Sequence, residues 1–229
     1  MPYLSTKPLI SAPKNLTYPF HFFKNFRKKH PKKGLPIDLQ IKMLSGDFDT
    51  KKVKEIISGY DLSEEELNII ANGFRLKKEF DLAEKYYQDA LKKNKGDGDV
   101  YGNLISLYCE QEKYDLCGKT FKLGVKMAWQ GREFIYFHQA RAWFNQKKYD
   151  FAVSTAILGI EKEEKYEPLF ILCIKSWIIM GAESHKQNKS EEAKDTFALA
   201  GKMAHIAHSI FPESEEVSEL YDLLFEEKK

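Results

Sequence analysis

Two stretches of the chain, 34 residues apart, carry the same pattern of side chains. Leu67, Ile70, Ala71 and Phe74 are followed by Ala83, Tyr87 and Ala90; Tyr101, Leu104, Ile105 and Tyr108 are followed by Cys117, Phe121 and Gly124. Seven positions in register at one period mark a structural repeat, and a repeat of this length confines the chain to stacked units. In each copy the first four residues fall at i, i+3, i+4 and i+7, one apolar stripe of a helix. The last three do the same on a second helix, with small side chains where two backbones approach. Lys77 to Asp81 and Gln111 to Asp115 read as the same short polar turn between them. A lone helix pair cannot bury both faces, so each pair stacks on the next.

This pattern resembles the tetratricopeptide repeat: large residues on a first helix, then small, aromatic, small on a second. The resemblance implies an all-α, right-handed α-solenoid of about four such helix pairs with N- and C-terminal capping helices. It also implies a concave surface, lined by the first helix of each pair, that binds peptides.

The remaining units are read by the same register. Residues 36–63 form a degenerate cap, with Ile37, Ile41 and Leu44 striping one helix and Val53, Ile56 and Ile57 the next. Ser63 with Glu66 offers a capping box that opens the first full repeat. A third copy places Tyr136, Gln139, Ala140 and Trp143 before Ala152, Ala156 and Gly159. It lacks the second-helix aromatic, so its packing is expected to be tighter or filled from the neighbouring unit. A fourth, longer copy leads from Trp177, Met180 and Gly181 to Ala193, Phe197 and Ala200. Its first helix is apolar for about 15 residues with Lys175 inside, short of the roughly 20 that a membrane span needs. The solenoid is expected over 64–211. Pro212 ends it, and a capping helix with Val217, Leu220, Tyr221 and Leu224 inward closes 212–229.

Residues 1–35 differ in kind. Lys7, Lys14, Lys24, Arg27, Lys28, Lys29, Lys32 and Lys33 precede the first acid, Asp38; the 28 remaining bases against 34 acids leave the body at −6. The chain reads as a mildly acidic body with a basic, Pro- and Phe-rich arm. Phe20, Phe22, Phe23 and Phe26 lie just ahead of the basic cluster Lys24, Arg27, Lys28, Lys29, Lys32 and Lys33. A short helix there would put Phe22, Phe23 and Phe26 on one side. Three uses are open for it: docking on the chain's own solenoid, contact with nucleic acid or an acidic protein, and contact with an anionic membrane surface. The arm has neither the charged start nor the unbroken apolar core of a secretory signal, and the expected location is the cytoplasm.

Motifs of catalytic chemistry are lacking. The sequence has no Gly-rich phosphate loop, zinc-type Cys/His spacing or nucleophile elbow, so no cofactor and no enzyme activity are expected. Cys109, Cys117 and Cys173 are an odd number without ligand spacing, and Cys117 occupies a small-residue position of the repeat. His205 and His208, three apart, are two ligands without a third.

Function is therefore sought in the groove. The resemblance places Glu65, Asn68, Asn72 and Arg75, then Asp99, Asn103 and Ser106, then Phe134, Phe137, Arg141 and Phe144 on its surface. Some members of the family hold a partner's C-terminal carboxylate with two asparagines and several basic residues. Asn72 and Asn103 match the asparagines, while Asn68, Phe134 and His138 stand at basic positions. The third repeat instead offers aromatics and one Arg, the residue types that dominate interface hot spots. Those phenylalanines could equally be covered by the fourth repeat or by the arm. The expected function is a non-catalytic adaptor or assembly scaffold that binds a protein segment. The alternative is a regulatory or anchoring protein that uses its arm on nucleic acid or an anionic membrane.

Overall fold

The structure, a computed structural model, describes residues 34–162 and 165–225. The arm residues Lys24, Arg27, Lys28, Lys29, Lys32 and Lys33 lie outside the described residues, as do the arm's phenylalanines. Among the described residues there are eleven helices and no strand. They run as pairs: α1 Ile37–Ser45 with α2 Thr50–Ile57, α3 Glu64–Leu76 with α4 Phe80–Lys93, and α5 Gly98–Glu110 with α6 Tyr114–Met127. Then follow α7 Arg132–Asn145 with α8 Tyr149–Lys162, α9 Glu167–Lys186 with α10 Ser190–Ile210, and the closing α11 Glu215–Phe225. The first helices lie side by side, α1 on α3, α3 on α5, α5 on α7 and α7 on α9. The result is an all-α right-handed solenoid of tetratricopeptide type.

Each pair turns through the same device. Lys78, Glu112, Lys147 and Asn188 adopt left-handed backbone with φ of 58–61°, and Gly46 does so at 72° in the first pair. The next residue then bonds back across the helix end: Glu79 N–H to the Phe74 carbonyl, Lys113 to Tyr108, Lys148 to Trp143 and Lys189 to Ser184. This closure satisfies carbonyls that the helix terminus would leave without partners. A left-handed position disfavours any side chain with a Cβ. Four polar residues accept it because the turn, not the residue, is fixed by the packing of the two helices.

The small positions of the repeat are the helix crossings. Ala83, Tyr87 and Ala90 are fully buried. In the second unit a Cβ on Gly124 would lie 3.0 Å from the Tyr101 ring. In the third unit, where the aromatic is missing, Gly159 sits against Tyr136 of its own repeat and Leu169 of the next, each only 2.7 Å from where a Cβ would be. Packing at this crossing is therefore close, with side chains from both its own unit and the next. Gly181 meets the Phe197 ring at 3.1 Å in the fourth.

The first pair requires a correction. Ile37, Ile41 and Leu44 are not its buried stripe: Leu39 and Met43 point into the core, and Ile37 and Ile41 are 63% and 56% exposed. Helix α1 is apolar on two sides, and periodicity does not say which side meets α3. On α2, Val53 and Ile57 are buried but Ile56 is exposed. The closing helix buries Val217 and Leu220, with Tyr221 and Leu224 partly buried against the same cluster. His205 and His208 stack near Tyr221, with His208 at 4.8 Å between ring centroids. Cys117 and Cys173 are buried thiols, both pushed up to about 12 chiefly by burial. No helix among the described residues is long and apolar enough to cross a membrane.

Candidate functional site

The polar residues between the apolar stripes meet across neighbouring first helices. The Asn103 side-chain amide on α5 donates to the Asn68 carboxamide oxygen on α3 at 3.0 Å, and the Tyr87 hydroxyl donates to Asn72 Oδ1 at 2.7 Å. Arg75 on α3 approaches Glu110 on α5 at 3.8 Å. One step along, Arg141 Nη2 on α7 donates to Ser106 Oγ on α5 at 2.7 Å, and Ser106 Oγ lies 2.6 Å from His138 Nδ1. Asn145 reaches Cys109 Sγ at 3.9 Å. The inner face is therefore a row of polar links from helix to helix rather than a set of independent side chains.

Burial divides this row into two kinds of residue. Asn103, Ser106 and His138 are buried and serve as struts between units. Asn68, Asn72, Arg75, Phe134, Arg141 and Phe144 are half-buried, and Glu65 is exposed. Burial and then the Arg141 and Arg75 guanidiniums hold His138 well below its usual pKa. Arg141 N–H donates to the Ser106 oxygen, and Ser106 Oγ shares a hydrogen bond with His138 Nδ1 whose direction follows the imidazole tautomer. That arrangement fixes Arg141, which stays half-buried on the inner face. It does not prepare Ser106 for attack, since the hydroxyl oxygen already accepts from a guanidinium and the pair is out of solvent.

The structure does not bring Phe134, Phe137 and Phe144 into one open patch. Phe137 is 7% exposed and belongs to the core around α9. Its ring lies 5.8 Å from Tyr166 and carries the Arg141 guanidinium at 5.5 Å, a cation–π placement. Phe134 also meets Tyr166, at 5.3 Å, whereas Phe144 turns to Tyr149 at the start of α8 in its own repeat. Phe134 and Phe137 thus meet Tyr166, at the end of the third unit, and Phe137 also joins the α9 core; cover by the arm lies outside the described residues. Tyr166 was not singled out by the sequence; it precedes α9 in a connection whose path only the stacking determines.

A second feature was missed although the period contains it. Glu65, Asp99, Glu133 and Glu167 recur at 34 residues and open α3, α5, α7 and α9 in turn. A carboxylate in the first turn suits the helix dipole. Glu167 accepts from Ser214 Oγ at 2.6 Å. Asp99 is pushed up to about 7, first by burial and then by Asp97 and Glu133. Around it the connections before α5 and α7 run together, with Gly98 N–H donating to the Gln130 carbonyl at 3.0 Å and Trp129 N–H to Gly96 at 3.2 Å. Gly98 permits this approach, because a Cβ there would stand 2.2 Å from the Gly131 carbonyl oxygen.

Comparison with known proteins agrees with this architecture at the level of fold. No family model matches the sequence, and no curated protein matches it. Among solved structures, the chain is similar to one in the crystal structure of the APC/C hetero-tetramer Cut9–Hcn1, with a TM-score of 0.52 and 14% identity over 81% of this chain. It spans 34% of that longer chain. It is also similar to PilF of Pseudomonas aeruginosa, with a TM-score of 0.50 and 14% identity, covering 82% of this chain and 90% of that one. Both contain tetratricopeptide repeats.

Proposed function

We propose that this chain, a solenoid with the tetratricopeptide-repeat fold, is a non-catalytic adaptor or assembly scaffold that holds a protein segment along its first helices. The observation that carries the reading is Arg141. Ser106 and the Phe137 ring fix its guanidinium, while Asn72, Arg75 and Phe134 on the same inner face stay half-buried. A planar donor held in place loses little freedom on binding, which is why Arg beside aromatics anchors interfaces. The likeness to Cut9–Hcn1, a hetero-tetramer by its description, supports assembly as the general role. Phe134 and Arg141 are assigned to the anchor, with Asn68, Asn72, Arg75 and Phe144 flanking it. Phe137, Ser106 and Asn103 act by holding these in position.

The full-length chain, immobilised as bait, identifies the partner by mass spectrometry, and purified partner then gives affinities. Phe134→Ala with Arg141→Ala is expected to weaken binding by about thirtyfold, the loss of roughly 2 kcal/mol typical of a central anchor. Lys85→Ala, an exposed site on a second helix, is the control and keeps wild-type affinity. A folded double variant that binds as tightly as wild type removes the anchor from this face.

A further inference from the structure

Counted back from the left-handed turn residue, two positions of α3, α5 and α7 look toward the first helix before them; in α9 the corresponding residues are Ile179, half-buried, and Glu183, exposed. Nine and five residues before Lys78 are Ile69 and Gly73; before Glu112 they are Asn103 and Leu107; before Lys147 they are His138 and Ala142. A Cβ on Gly73 would stand 2.8 Å from the Met43 carbonyl oxygen on α1. Asn103 bonds to Asn68 on α3, and His138 to Ser106 on α5. All six are buried or half-buried. The corresponding residues before Gly46 are Ile37 and Ile41, apolar and 63% and 56% exposed. They occupy the register of a covered face with no described helix over them, on a helix whose opposite side is already buried through Leu39 and Met43. A helix apolar on two sides offers a second face for packing.

We propose that the chain's own segment from Phe20 to Phe26 covers this face of α1, standing in for the preceding helix that the first unit lacks. The segment carries four phenylalanines within seven residues and lies ten residues ahead of Ile37. Ten residues reach at most about 33 Å, against about 14 Å for the length of a nine-residue helix such as α1, so the segment can turn back along it. The connecting residues include Pro31, Gly34 and Pro36, which suit a reversal. Its far end is fixed: Leu35 is buried, and its N–H donates to the Glu66 carboxylate at the start of α3. On helical spacing Phe22, Phe23 and Phe26 would share one side and Lys24 and Lys28 another, so an aromatic side could meet Ile37 and Ile41 without burying a charge.

Disulfide trapping in the full-length chain tests this. Phe22→Cys, Phe23→Cys and Phe26→Cys are each combined with Ile41→Cys in a Cys109→Ser background, so that the rotation of the segment does not decide the result. At least one pair is expected to cross-link within a single molecule, independently of protein concentration. Cross-linking only between molecules assigns the face to a second copy and overturns the proposal, as does no cross-link from any pair. Hydrogen exchange gives an independent reading: Phe22→Ser with Phe26→Ser is expected to speed exchange across α1 by about tenfold through local opening. Unchanged exchange overturns the proposal. So does protection of wild-type α1 that arises only when an oligonucleotide or phosphatidylserine vesicles are added, because the cover then comes from outside the chain.

Discussion

Ser63 and Glu66 bond to each other in both directions. Glu66 N–H donates to Ser63 Oγ at 3.2 Å, and Ser63 N–H donates to Glu66 Oε2 at 2.7 Å, closing a capping box at the start of α3. Glu66 is buried, and its other oxygen accepts from Leu35 N–H, so one carboxylate starts the first full repeat and secures the segment ahead of α1. Ser63→Ala is expected to cost about 1 kcal/mol, the usual worth of a cap. Glu66→Ala is expected to cost more, about 2–3 kcal/mol, because it also leaves the buried Leu35 N–H without its partner. Urea unfolding of the two variants checks the order; equal losses would mean that the Leu35 contact contributes nothing.

Two helical glycines should respond to alanine with opposite signs. Gly73 faces the Met43 backbone at 2.8 Å, a contact that side-chain motion cannot relieve, whereas nothing lies within 4 Å of a Cβ at Gly118. Alanine gains up to about 1 kcal/mol in helix propensity at either site. At Gly73 the overpacking, about 1–3 kcal/mol, exceeds that gain and α1 is pushed off α3. Gly73→Ala should therefore lower the melting temperature and Gly118→Ala raise it.

Stability should fall as pH rises through neutrality. Glu64 is pushed from 4.5 up to about 8, first by burial and then by its hydrogen bond with Asp97; Asp99 is pushed from 3.8 up to about 7, first by burial. Between the ordinary and the raised values the folded chain binds more protons than the unfolded one, so each unit of pH in that window weakens the fold. Glu64→Gln with Asp99→Asn removes both titrations. Its melting temperature is expected to vary less than wild type from pH 7 to pH 8.5, above the range in which His138 takes up a proton on unfolding, and to exceed wild type at the upper end. A wild-type profile that is flat or rises across this range contradicts the assignment.

Arg141→Lys separates charge from geometry at the proposed anchor. Lysine keeps the positive charge but not the planar donor that reaches Ser106 while lying over Phe137. If fixation of the guanidinium matters, Arg141→Lys should lose most of the affinity that Arg141→Ala loses, measured by calorimetry on the identified partner. Wild-type affinity would show that charge alone suffices.

The period is legible in the sequence alone, and with it the helix pairs, their turns and their crossings. Leu67 to Gly124 repeats because each unit must offer the same surface to its neighbour, and that requirement is written locally at every copy. It also contained the acidic series Glu65, Asp99, Glu133 and Glu167, legible to anyone applying the period to polar positions as well as apolar ones. What it could not determine was the choice between two apolar faces of α1, because Ile37 with Ile41 and Leu39 with Met43 satisfy helical spacing equally. The division of the inner face into buried struts and accessible residues was likewise decided only by the tertiary structure. Whether Ser106, His138 or Phe137 is open depends on Arg141 and Tyr166, residues brought in from other helices and connections. Periodicity records how a helix repeats, but burial is set by what lies across from it, and only stacking places that neighbour.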